Sequence, residues 1–69
     1  MEFYERLHAA RRASGLHQAE AADKVGVSPA TWQRWESGTA WPDVRQVTQI
    51  AALLHKPEAW FLTGEEVTP

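Results

Sequence analysis

Gln18-Ala19-Glu20-Ala21-Ala22-Asp23-Lys24-Val25-Gly26-Val27-Ser28-Pro29-Ala30-Thr31-Trp32-Gln33-Arg34-Trp35-Glu36-Ser37-Gly38 reads as two short helices joined at a tight turn. The first runs from about Gln18 to Val25 and is rich in small residues, Ala19, Ala21 and Ala22. Small side chains let a neighbouring helix approach closely. Gly26 marks the turn. Ser28-Pro29 opens the second helix, because Ser is a favoured N-cap and Pro is tolerated at the first helical position. Trp32 and Trp35 lie three apart on one face, and Gly38 is the stop, which places this helix at about 29–37. Ala22, Val25, Val27, Trp32 and Trp35 are the natural contacts between the two helices.

The flanks extend the same pattern. Phe3, Leu7 and Ala10 fall at i, i+4 and i+7, one face of a helix from about Glu2 to Ser14. Gly15 ends it, and Leu16 is expected to anchor the joint from beneath. After a loop from Thr39 to Pro42, Asp43 caps a fourth helix. Val44, Val47, Ala51 and Leu54, with Ile50 beside them, form its apolar stripe. His55-Lys56 put positive charge at its C-terminal end, where the helix dipole favours it. A last short helix spans Pro57 to Leu62 and stops at Thr63-Gly64. No alternating strand pattern, internal repeat or linker is present. The expectation is an all-α five-helix domain over residues 1–64, with a frayed tail at 65–69.

Composition bounds the function. With 69 residues the chain is one domain, 43% hydrophobic and 23% charged. Without cysteine it has no disulfide, thiolate metal site or thiol nucleophile. His8, His17 and His55 show no ligand spacing, so no metal site and no cofactor are expected. Ser14, Ser28 and Ser37 lack triad-like surroundings and no carboxylate pair is convincing, so no catalytic residue and no enzyme are expected. No apolar run approaches the ~20 residues of a membrane helix, and no export signal is visible, which gives the cytoplasm as the expected location. A net charge of −2 argues against a non-specific nucleic-acid binder. The acids gather at the ends (Glu2, Glu5, Glu58, Glu65 and Glu66). From Arg11 to Arg45, five bases against four acids leave a slight positive balance. A core this small is expected to gain from dimerisation.

Two helices joined by such a turn form a helix-turn-helix, which offers its second helix to a DNA major groove. The sequence resembles the Cro/cI-type, XRE family of phage repressors. The resemblance rests on Gly15-Leu16, Gln18, Ala22, Val25-Gly26-Val27-Ser28, Thr31, Arg34-Trp35-Glu36 and Gly38. It continues through Pro42, the Val44/Val47/Ile50-Ala51/Leu54 helix and Trp60-Phe61-Leu62-Thr63-Gly64, covering about Arg6 to Gly64. It implies a five-helix, lambda-repressor-like DNA-binding domain, phage-related or bacterial, with its third helix in the major groove. It further implies that Gln18 meets a phosphate and that Pro29, Ala30, Gln33 and Arg34 face bases or nearby phosphates, with Ser28 and Thr31 beside them. Arg11 and Glu36 match a pair that joins the first helix to the end of the third beside a phosphate. The expected function is sequence-specific transcriptional regulation, as a repressor that binds an inverted-repeat operator as a homodimer.

Departures from the family pattern carry their own expectations. Pro29 and Ala30 cannot donate to a base edge, and Ala30 can meet only a thymine methyl. Base-specific hydrogen bonds then fall to Gln33, suited to adenine, and Arg34, suited to guanine. The loop Thr39-Ala40-Trp41 lacks the usual bases, so phosphate contacts are fewer and the salt dependence shallower. His17 replaces the usual Ser, Thr or Asn cap and is a poorer one. Ala21 stands where Leu is usual and Trp32 where Ile or Val is, an exchange that conserves volume if the indole fills the space above Ala21. Trp32, Trp35 and Trp60 are assigned to the core. Trp41, Pro57, Glu58 and Phe61 are the dimer-interface candidates, with Phe61 otherwise closing the core. A rival reading keeps the fold but makes it a protein-interaction module, an antitoxin-like component that holds a protein partner.

Overall fold

A computed structural model describes residues 2–64. Five helices follow one another: α1 (Phe3–Ala13), α2 (Gln18–Lys24), α3 (Pro29–Ser37), α4 (Val44–Leu54) and α5 (Glu58–Thr63). No strand occurs among the described residues. α2 packs chiefly on α3, α1 lies against α3 and α5, and α4 lies against α5. The expected tail at 65–69 lies outside the described residues. No helix among those described is long and apolar enough to cross a membrane.

Local chemistry sets the helix ends. Ser28 Oγ accepts the Thr31 N–H at 3.1 Å, with Pro29 opening the first turn. At α4, Asp43 Oδ1 accepts the Gln46 N–H while Gln46 Oε1 accepts the Asp43 N–H, both at 2.8 Å. This reciprocal box satisfies two donors that a bare helix start would orphan. The weak cap expected of His17 is offset in the same way, because Glu20 Oε1 accepts the His17 N–H at 3.0 Å. Gly38 ends α3 at φ +81°, and a Cβ there would stand 3.1 Å from the Tyr4 ring. Glycine is therefore favoured by conformation, and a side chain there would also have to push the Tyr4 ring aside. α4 ends instead on His55 at φ +57°, a left-handed position without glycine.

The core is one cluster: Phe3, Leu7, Ala10, Ala21, Ala22, Val25, Trp32, Trp35, Ile50, Ala51, Leu54 and Phe61. Leu16 and Val27 pack against it from the two joints. Trp32 and Ala21 are both fully buried in that cluster, as the proposed exchange of volume requires. The Trp32 and Trp35 rings meet at 5.5 Å, tilted by 53°. Arg6, half of whose length is apolar stem, is also buried, and its guanidinium donates from Nε and Nη2 to the Phe61 carbonyl at 3.2 and 3.0 Å. This ties the end of α5 to α1.

Four expectations need correction. Val44 is 81% exposed and lies outside the core. It is the first residue of α4, where the periodic face has already run past the edge of the packed cluster. Trp60 is only partly buried; it packs edge-on to Phe61, and Lys56 Nζ stands 4.8 Å over its ring. α2 ends at Lys24, one residue early, and α5 runs from Glu58 to Thr63, with Pro57 as its cap residue.

Truncation of the buried indole in Trp32→Ala is expected to cost about 3–5 kcal/mol, most of the stability of so small a core. The circular dichroism of that variant should be largely unfolded at room temperature. Val44→Ala should stay within about 0.5 kcal/mol of the parent in the same thermal melt.

Candidate nucleic-acid interface

α3 has two distinct faces. Trp32 and Trp35 are buried beneath it, whereas Pro29, Ala30, Gln33 and Arg34 are exposed and Thr31 is half-buried. Neither the Gln33 amide nor the Arg34 guanidinium hydrogen-bonds another described residue. Ser28 is exposed, but its hydroxyl is engaged in the cap and lies 3.0 Å from Thr31 Oγ1. At the far end the Ser37 and Thr39 hydroxyls donate to the Arg34 carbonyl at 3.1 and 3.3 Å. These bonds close the helix and leave the Arg34 side chain outside.

Glu36 fixes this helix to the others. Its side chain is only 4% exposed. Arg11 donates to it from Nε at 2.6 Å and from Nη2 at 3.1 Å. His8 Nδ1 lies at 2.8 Å and Gln18 Nε2 at 3.1 Å from Oε1, and the Trp32 indole N–H donates to Oε2. Four side chains from three helices converge on one carboxylate. Burial pushes the Glu36 carboxyl up, but the hydrogen bonds from Arg11, His8, Trp32 and Gln18 outweigh it and lower its pKa to about 2. Arg11 Nη1 also donates to the Leu16 carbonyl at 2.7 Å, so the guanidinium spans the α1–α2 joint as well.

The structure thus joins Arg11 with Glu36, and it brings Gln18 to the same carboxylate. The Gln18 amide is half-buried, with one donor turned inward to Glu36. Sequence reasoning did not anticipate that His8 and the Trp32 indole N–H complete the cluster. The available signals were the i, i+3 pairing of His8 with Arg11 and the i, i+4 pairing of Trp32 with Glu36, which place each pair on one helical face.

The expected dimer-interface residues fare unequally. Trp41 is 64% exposed, and its ring stacks on Phe3 at 4.9 Å with 25° between the planes. Pro57 and Glu58 are exposed. Phe61 is fully buried, so it closes the core and offers no side-chain surface to a second copy. Among the described residues no three His, Cys, Asp or Glu side chains cluster as metal ligands would.

Comparison with known proteins agrees with this geometry. The family described as a helix-turn-helix domain matches residues 2–59. The HTH-type transcriptional activator BcrR of Enterococcus faecalis is 31% identical over 67 residues, covering 97% of this chain and 33% of the relative. The cryptic phage CTXphi transcriptional repressor RstR of Vibrio cholerae is 35% identical over 54 residues, covering 78% of this chain and 48% of the relative. The chain therefore spans between a third and a half of the length of these curated relatives. Among solved structures, the P22 c2 repressor in complex with synthetic operator 9T superposes with a TM-score of 0.90 at 25% identity, over 94% of this chain and 98% of that one. The solution structure of the P22 c2 repressor DNA-binding domain gives 0.88 at 23% identity, over 100% and 91%, and shares the fold.

Two measurements test the Glu36 cluster. A double-mutant cycle of Arg11→Ala and Glu36→Ala in chemical denaturation should return a coupling of about 0.5–3 kcal/mol; a value near zero would refute the link. The lowered carboxyl also sets a pH dependence. Its stabilising contribution is complete above the ordinary carboxyl pKa of 4.5 and is lost as pH falls through about 2. The stability gap between the parent and Glu36→Gln should therefore narrow on acidification through that window.

Proposed function

The chain belongs to the helix-turn-helix domain family, and from that premise we propose that it is a sequence-specific repressor that binds double-stranded DNA through α3. The observation that carries this reading is the division of α3 into a buried Trp32/Trp35 face and an exposed face bearing Pro29, Ala30, Gln33 and Arg34. That face lies in the major groove, with Thr31 and Ser28 at its N-terminal edge. Gln33 pairs with adenine and Arg34 with guanine, each through two hydrogen bonds. Ala30 and the Pro29 ring supply apolar contact, favouring a thymine methyl. Gln18 meets a phosphate beside the groove; Glu36 holds one of its amide hydrogens inward and so orients the rest of the group. Arg11 is buried against Glu36 and the Leu16 carbonyl, so it acts by positioning Gln18 and α3.

The protein acts as a homodimer on an inverted repeat, with two α3 helices in successive major grooves about 34 Å apart. Trp41, Pro57 and Glu58 are the exposed residues proposed for the seam between copies. Occlusion of polymerase from the bound site gives repression, in the cytoplasm where the template lies. The solved relative in complex with its synthetic operator supports DNA as the partner. A second reading, capture of a protein partner on the same fold, draws support from the exposed Trp41 indole.

Selection from a random duplex pool at low salt separates the two readings. Enrichment of an inverted repeat is expected; no enrichment by folded protein would favour the protein partner. On the selected site, Arg34→Ala should cost about 1–3 kcal/mol and relax specificity at one base pair. Gln18→Ala should weaken all sequences evenly and, because the amide is neutral, leave the salt slope near that of the parent. Parent-like binding by both variants would overturn the assignment.

A further inference from the structure

His8 is the member of the Glu36 cluster that faces solvent. Its side chain is 49% exposed, whereas that of Glu36 is 4% exposed. It sits on α1, and its Nδ1 and the Gln18 Nε2 meet the same carboxylate oxygen, Oε1 of Glu36. The imidazole and the Gln18 amide therefore flank one atom.

The chemistry of that atom settles the tautomer. An ionised carboxylate only accepts hydrogen bonds. Nδ1, 2.8 Å from it, must therefore carry a proton. Arg11 Nη2 also approaches Nδ1, at 3.3 Å, but both groups are then donors and the approach is no hydrogen bond. A neutral His8 has spent its single N–H on Glu36, and Nε2 is left as a bare acceptor. A phosphate oxygen is an acceptor too, so the neutral ring offers it nothing. The protonated ring keeps the bond to Glu36, gains a second N–H at Nε2 and gains a positive charge.

Apart from Arg11, which Glu36 holds, the groups around the ring are acidic or neutral, so an anion is admitted beside it only when the ring itself is charged. Glu36 is the charged group facing it from α3, and α2 contributes the neutral Gln18 amide. On α1, Tyr4 and Glu5 line the shallow depression shared with His8 and Glu36. Glu5 is engaged by the Glu2 N–H at 2.9 Å, and Arg11 is bound to Glu36. The half-exposed ring meets the same Glu36 oxygen as Gln18, so an anion held by Gln18 would arrive beside it.

We propose that His8 is a second phosphate-contacting residue beside Gln18, competent only when protonated, so that DNA binding takes up a proton at this position. The inference rests on the DNA-binding reading above. By linkage, affinity then rises on acidification, and bound DNA favours the protonated ring by the same coupling.

A phosphate contact carries no base information, so the probe need not be an operator. The test is fluorescence anisotropy of the full chain with a labelled random-sequence duplex of about 30 base pairs, titrated over a range of KCl at about pH 6 and about pH 8. The parent should bind about 3–10-fold more tightly at the lower pH. Its log–log salt slope should steepen there by about 0.9, the increment of one further phosphate contact. His8→Asn keeps an N–H donor toward Glu36 but has nothing at the Nε2 position; it should lose both increments while melting like the parent. His17→Asn, which changes the neighbouring titratable ring, should keep both. Binding that is unchanged between the two pH values overturns the proposal alone. Increments that survive in His8→Asn, or vanish in His17→Asn instead, also overturn it. Absence of duplex binding at either pH overturns the DNA-binding reading and this proposal with it.

Discussion

The Glu36 carboxylate is nearly removed from water, and a charge in that position cannot be left uncompensated. Desolvation alone costs several kcal/mol per ion, and only well-placed donors recover it. Here the donors come from α1, α2 and α3 itself: Arg11 and His8, Gln18, and Trp32. Hydrogen bonds are directional where apolar contact is not, so this cluster fixes what the hydrophobic core alone leaves loose. A slip of α3 along or about its axis would break several charge-assisted bonds together. The rotation of α3, and hence which of its residues point outward, is set by a residue on its inner side.

The core beneath follows from the same geometry. α2 carries three alanines among its seven residues and packs chiefly on α3, whose two indoles are buried in the same cluster. Ala21 and Trp32 are both fully buried there, as an exchange of volume between them requires. The Trp32 ring serves both systems, with its body in the core and its N–H on Glu36. A large aromatic with one polar atom is suited to a boundary of this kind, because the apolar surface is buried without orphaning the donor. Polar and apolar order in this small domain are therefore joined at one side chain.

Much of this was legible in the chain. Ser28-Pro29 and Asp43 announce helix starts through local chemistry that needs no tertiary partner, and α3 begins and ends where those residues and Gly38 place it. The pairing of Arg11 with Glu36 was expected from the resemblance. The wider convergence was not, because His8 and Glu36 are separated by 28 positions and no spacing rule links them. Val44 shows the opposite failure. It continues the apolar period of α4, but a period reports angle around a helix and not distance along it, and the first turn overhangs the core. Phe61 was ambiguous for a related reason: an aromatic at the edge of a short helix can close its own core or seat a partner, and only the packing of α1 against α5 decides. Arg6 gave no sign of burial in sequence, since its guanidinium is satisfied by a main-chain carbonyl 55 positions away.

That last contact has a consequence for how the molecule comes into being. Arg6 Nε and Nη2 close on the Phe61 carbonyl, and the Phe61 ring completes the cluster around Phe3, whose ring it meets at 6.3 Å. Residues of α1 thus depend for their burial on residues some 55 positions later in the chain. α1, α2 and α3 can assemble their shared contacts earlier, but the Phe3 end of α1 lacks its contact with Phe61 until α5 has left the exit tunnel. A nascent chain stalled before Phe61 would leave Phe3 more open to solvent and to chaperones. The fold is complete only when α5 closes on α1.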